Sequence, residues 1–393
     1  MKKLVSLLMA ATMCASLAAC GGSSASSTAS TAASTADSSA ASSSTEAAAT
    51  SSDPVSGGEI NIPITDDPTT LQGWMVRNTN EMTVAPAIYE TLMAYDNAGT
   101  PQPYLLESFE SDPEALTYTM VVKDGITFQD GTPLDADAVK WNLDYYKENG
   151  VLTGSYFSYV DNVEVVDEKT VVVHMSSWDA LFDYGLARTC FICSPTAVEE
   201  LGPDGFNETP VGTGPFKVTK WVHGEGIYTE AYADYWQGKP YLDSVNFKIY
   251  ASTATQQAAM EVGDLDIMYL TGDAVTADSM EASGYTITNS SIPDSGHTLC
   301  FNSKADGPLT DVRVRQAIAL AVDTESINAA LLSNGKYGTS STQWAVSTSG
   351  EYTDIEGYGY DVEKAKSLLT DAGYADGFDL TINFQVGDFA KSV

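Results

Sequence analysis

The chain has 393 residues and a formal net charge of −34, from 53 acidic against 19 basic residues. Such a surface repels phosphate backbones and anionic lipid heads, which excludes nucleic acid as a partner. The length points to more than one compact unit, and 21 Tyr with 6 Trp supply aromatic area for substantial cores.

Lys2 and Lys3 precede an apolar run from Leu4 to Ala19 that ends in small residues. This is the pattern of a secretory signal over 1–19. The run is interrupted by Ser6, Thr12 and Ser16 and is shorter than the roughly 20 residues of a membrane span. Leu17-Ala-Ala-Cys20-Gly21 resembles the lipobox of bacterial lipoproteins, which implies a lipidated Cys20 holding the protein to a membrane. Gly21 to Ser52 contains only Gly, Ser, Thr and Ala apart from Asp37 and Glu46. Residues 20–54 therefore read as the anchor and a flexible tether with a reach of ~30 Å.

In the body, Gly58 to Ile64 alternates like a strand, and Met82 to Leu92 carries a helical apolar stripe. Leu116 to Val122 reads as a strand, with turns at Lys123-Asp-Gly125 and Asp130-Gly-Thr-Pro133. Asp135 is placed as the N-cap of a helix that Gly150 stops. Val163 to Val173 predicts a hairpin turning near Asp167-Glu168. Further strands are expected over Phe216–Trp221, Gly226–Tyr232, Val245–Tyr250 and Leu265–Tyr269. Helices are expected over Thr253–Val262, from Asp311, over Thr324–Leu332 and over Asp361–Gly373, before a strand from Phe378 to Val386. Mixed strands and helices throughout make the fold class α/β. No internal repeat is visible.

Cys190-Phe-Ile-Cys193 has the CxxC spacing of redox or zinc chemistry. Its apolar flanks favour two core thiols or a strained local disulfide, and His174, His223 and His297 stand apart from it and from one another. No cofactor or metal site is expected. The sequence stops at Lys391-Ser-Val393 directly after an apolar strand, which predicts a truncated chain.

Five stretches in order carry a resemblance. They are Ile88-Tyr-Glu-Thr-Leu92 with Gly99 to Ser108; Val122 to Pro133 with Val139-Lys140; Pro210-Val-Gly-Thr-Gly-Pro-Phe-Lys217 with Asp234 to Leu242; Phe301-Asn302 with Asp311 to Ile318; and Asp361 to Leu369. Together the sequence resembles extracellular solute-binding protein family 5, the oligopeptide, dipeptide and nickel receptors of ABC importers. The resemblance implies a two-lobed periplasmic-binding-protein-like fold with an extra subdomain inserted in lobe I. Lobe I would take 55–91 and 203–295, the insertion 92–202, and lobe II 296–393. Lobe II would be incomplete, without the later part that supplies an acid for a peptide's α-amine in the family.

The resemblance further implies a non-enzymatic receptor, monomeric, that captures a peptide or other small molecule between its lobes and passes it to permease and ATPase subunits. Asn78, Thr79, Asn80 and Glu81, ahead of the first helix, are the expected ligand contacts, with Trp74, His297 and Trp344 as further candidates. Asn302 reads as a turn residue. Nickel chelate, haem and oligosaccharide are the alternative ligands on this scaffold. A secreted hydrolase lacks support in any GxSxG, HExxH or Cys/His signature, and a surface adhesin or sensor is the remaining alternative.

Overall fold

The computed structural model describes residues 54–152, 156–270, 273–289, 299–304, 306–333, 335–338, 353 and 355–383. The chain enters through β1 (Glu59–Ile64), a single 3-10 turn (Gly73–Met75) and α1 (Thr79–Ile88). Five strands and a helix follow: β2 (Met93–Tyr95), β3 (Pro101–Pro103), β4 (Leu106–Asp112), β5 (Thr117–Val122), α2 (Ala136–Asn149) and β6 (Val160–Val165). Then come β7 (Thr170–Met175), α3 (Phe182–Arg188) and α4 (Pro195–Glu208). Strands β8 (Phe216–Val222), β9 (Gly226–Ala231) and β10 (Ser244–Ile249) lead to α5 (Thr253–Val262) and α6 (Ala274–Ala282). The last helices are α7 (Val312–Ala321), α8 (Thr324–Leu331) and α9 (Val362–Asp371).

Two four-stranded sheets organise the body, ordered β1-β10-β9-β8 and β4-β5-β7-β6, with β2 and β3 as a separate pair. β1 and β10 run parallel with Ile64 opposite Ile249, and every other strand pair is antiparallel. One core fills both sheets and the helices against them, built around Tyr89, Tyr146, Phe128, Phe157, Phe182 and Phe206. A smaller cluster joins α7 to α9 through Ala317, Leu320 and Ala365.

Side-chain caps set the helix starts. Asp135 accepts from the Ala138 amide, Asp311 from Arg313 and Asp361 from Lys364. The expected hairpin forms, its turn closed by Asp167, which accepts from the Lys169 and Thr170 amides. Three expectations need correction. The Met82–Leu92 stripe is a helix that starts at Thr79 and ends at Ile88, because Tyr89 turns extended at φ −123°. Leu265–Tyr269 is not a strand: the Asp266 side chain, rather than a neighbouring backbone carbonyl, takes the Asn61 amide at 2.8 Å. Residues 378–383 form no strand, and 384–386 lie outside the described residues. Cys190 and Cys193 are buried free thiols.

The Val211-Gly-Thr-Gly-Pro215 segment is packed against the end of α1. A β-carbon on Gly212 would sit 2.3 Å from the Ile88 carbonyl oxygen, and one on Gly214 would sit 2.6 Å from the Ile88 carbonyl carbon. Only glycine permits this approach. The buried Gln129 amide completes the joint, donating to the carbonyls of Ile88, Gly214 and Phe216 at 3.2, 2.9 and 2.8 Å. One residue past Tyr89, the buried Glu90 carboxylate accepts from the Tyr104 hydroxyl, the Tyr235 hydroxyl and the Trp236 indole at 2.9, 2.5 and 2.8 Å. Next to it, the Lys123 ammonium lies 5.4 Å from the centre of the Trp236 ring.

Candidate functional site

In open α/β sheets, ligand crevices form outside the carboxyl ends of parallel strands. Here those ends are Ile64 of β1 and Ile249 of β10. The loop 65–78 leaves β1 at this edge, and α1 begins directly behind it. The Asn80 side chain ties the two together by accepting from the amide and hydroxyl of Thr65 at 3.0 and 3.1 Å.

Hydrogen bonds hold the loop at several points. Asp67 accepts from the Trp221 indole and the Gly224 amide at 3.2 and 2.6 Å. Asn207 of α4 takes the Thr70 hydroxyl and the Leu71 amide at 2.8 and 2.9 Å. The Gln72 amide donates to the Pro203 carbonyl at 2.6 Å. From behind, the Tyr89 hydroxyl donates to the Leu71 carbonyl at 2.7 Å. Burial pushes the Tyr89 hydroxyl well above its ordinary titration range, which keeps that proton on the donor.

Glu81 is the centre of the loop. It is 1% exposed. Its Oε1 accepts from the Thr69 amide at 3.3 Å and hydroxyl at 2.5 Å, and its Oε2 from the Arg77 and Asn78 amides at 2.7 and 3.2 Å. Asn78 returns the contact by accepting from the Glu81 amide at 3.1 Å, so the pair forms a reciprocal capping box at the start of α1. A carboxylate offers about four acceptor positions, and the loop occupies them.

The sequence-predicted residues thus divide by position. Asn78 and Thr79 are exposed on the loop's outer turn, and Asn80 is half-buried beneath it. Glu81 faces inward and holds the loop's shape. Trp74 is 4% exposed, with its ring 5.3 Å from that of Phe206 and 4.9 Å from that of Tyr145, so both neighbours on its surface are protein. Cys20, His297 and Trp344 lie outside the described residues. The residues that sequence reasoning missed are Thr69 and Arg77. Arg77 is the only Lys or Arg between Lys3 and Lys123, a signal that was available.

The arrangement suits binding more than chemistry: a preformed loop presents backbone and amide groups at a sheet's carboxyl edge. Residues 100–391 match the family described as bacterial extracellular solute-binding proteins, family 5 Middle. The glutathione-binding protein GsiB of Salmonella paratyphi A is 27% identical over 319 residues, 80% of this chain and 61% of its own length. The chain therefore spans about three-fifths of the relative it matches. Among solved structures, the oligopeptide-binding protein AppA from Bacillus subtilis in complex with a nonapeptide shares 26% identity at a TM-score of 0.65. That likeness covers 81% of this chain and 65% of AppA. The binding protein AgaA of A. tumefaciens R10, in complex with agropinic acid, shares 30% identity at a TM-score of 0.64, over 81% of this chain and 65% of AgaA. The chain belongs to the bacterial extracellular solute-binding proteins of family 5.

Proposed function

We propose that this chain is the extracytoplasmic receptor of an ABC importer. It is tethered to the membrane by lipid on Cys20 and captures peptides, without catalysis, for delivery to permease and ATPase subunits. It acts as a monomer. Family membership supports the receptor reading, and the observation that carries the binding reading is the loop 65–81, fixed by Glu81 at the carboxyl ends of β1 and β10. Extended peptides are recognised mainly through main-chain hydrogen bonds, with pockets for side chains, and the exposed turn at Asn78 and Thr79 offers groups for that pairing. Asn80 and Glu81 support the turn from within, and Trp74 packs against Phe206 and Tyr145. His297 and Trp344 are proposed as contacts from lobe II.

The same proposal assigns lobe I to 55–91 and 203–295, an inserted subdomain to 92–202 and lobe II to residues from 296 onward. Sheet membership supports it: β1 and β8–β10 come from the first two segments, and β4–β7 come from within the insertion. Closure of the lobes on the ligand is the transport-competent state.

The test is a thermal-shift screen of the chain against di- to hexapeptides, sugars and metal chelates. A ligand at a hundredfold excess over Kd stabilises the folded state by about 2.7 kcal/mol. Peptides are expected to raise the melting temperature, and no shift with any peptide overturns the assignment. The likeness to AgaA favours one second reading, an organic acid, which a shift with agropinic acid added to the screen, and with no peptide, would select.

A further inference from the structure

The loop at the β1 edge carries one cation. Arg77 is exposed, and it is the only Lys or Arg between Lys3 and Lys123, a stretch rich in Asp and Glu. Its guanidinium is not held by a carboxylate. Among the described residues no ion pair includes it. Instead Nη2 donates to the Thr69 hydroxyl at 3.3 Å, and that hydroxyl donates to Glu81 Oε1 at 2.5 Å. The Arg77 backbone amide donates to Glu81 Oε2 at 2.7 Å. One buried carboxylate thus fixes the arginine twice, at its backbone directly and at its guanidinium through a hydroxyl.

A buried carboxylate without a direct cationic partner is costly to keep. The structure it maintains here is an exposed guanidinium on a hydrogen-bonded loop. A guanidinium presents a planar fork of donors that matches a carboxylate and prefers two parallel bonds to it. The Thr69 hydroxyl occupies one nitrogen. The surrounding protein, at a formal −34, repels anions, so an anionic ligand needs a local cation to dwell at this edge. Neither acid of the loop pairs with Arg77: Asp66 accepts from the Asp67 amide at 2.9 Å, and Asp67 is turned to Trp221 and Gly224, with the His223 ring nitrogen 3.8 Å away.

We propose that Arg77 is a specificity-determining residue, selecting ligands that place a carboxylate against the loop, and that Glu81 and Thr69 are its positioning residues. This rests on the peptide-receptor reading above.

The test is calorimetric titration of the full chain with two matched pairs of peptides. One pair is Ala-Ala-Ala and its C-terminal amide; the other is Ala-Glu-Ala-amide and Ala-Gln-Ala-amide. In at least one pair the carboxylate peptide is expected to bind about tenfold tighter than its uncharged partner, a step of 1.4 kcal/mol. Arg77→Gln is expected to bring that ratio to about one while the uncharged peptide keeps its Kd within about twofold, and Arg77→Lys to restore part of the preference. Thr69→Val, which leaves the arginine in place, is expected to fall between wild type and Arg77→Gln. Equal binding within both pairs by the wild-type chain, or a preference that survives Arg77→Gln, overturns the assignment of Arg77 alone. Failure of all four peptides to bind overturns the peptide reading itself, and this inference falls with it.

Discussion

The Tyr89 hydroxyl donates to the Leu71 carbonyl across 2.7 Å, joining the residue that ends α1 to the loop that leads into it. Removing that hydroxyl leaves a buried carbonyl without its donor, a cost of about 1–3 kcal/mol. Tyr89→Phe is therefore expected to lower stability by that amount in urea unfolding. Amide exchange should accelerate over 65–78 and remain unchanged in β4–β7. A uniform increase across the chain would show that the bond supports the whole core rather than the loop.

Gly212→Ala tests the packing of the 211–215 segment on α1. The added methyl would lie 2.3 Å from the Ile88 oxygen, well inside contact distance. Overpacking of a dense core commonly costs about 1–3 kcal/mol, and backbone on both sides of the clash places this change at the upper end. Chemical denaturation of the variant checks it, and a midpoint equal to wild type would contradict the close approach.

Much of this framework was legible from the sequence, for a physical reason. Asp135, Asp311 and Asp361 cap their helices through amides two or three residues away, so the evidence for each cap sits beside it. Asn78 and Glu81 follow the same local rule, with the three-residue spacing of a capping box. Helix α4 is not legible as one helix because Gly202 and Pro203 interrupt it, and Gly202 adopts φ 68° at a kink. The roles of Glu90 and Gln129 were not legible at all. Their partners lie at residues 104, 235 and 236 and at 88, 214 and 216, and composition holds no trace of such long-range pairing.

The contact between α6 and the segment after α8 should depend on pH. Lys336 donates to Asp278 and Glu281 at 2.8 and 2.5 Å, and Ser333 and Tyr337 also reach Asp278. These bonds, the lysine's first, hold the Asp278 carboxyl down to about 2. A carboxyl lowered by folding supports the contact above its ordinary range near pH 3.8 and loses that support as pH falls toward about 2. Carbon-detected NMR of the Asp278 carboxyl is expected to show the low midpoint, and Lys336→Met to move it back toward 3.8. Added salt should weaken the same link, since the charged groups Lys336, Asp278 and Glu281 are exposed.

Thiol reactivity provides a separate check on the core. Cys190 and Cys193 are buried, and burial pushes both thiols far above the range in which thiolate forms. Cys300 is exposed. With Cys14 and Cys20 replaced by serine, Ellman's reagent is expected to label one thiol quickly in the folded protein and two more only with denaturant. Rapid labelling of all three would place the CxxC segment outside the core.

The Glu90 hub has a consequence for how the fold responds to salt. Its three donors, two phenols and an indole, are half-buried neutral groups at hydrogen-bond distance from a buried carboxylate. Mobile ions weaken contacts between exposed charges and leave dry, short hydrogen bonds nearly untouched. The joint between the end of α1 and the 232–237 segment therefore keeps its shape whether the surrounding fluid is dilute or briny.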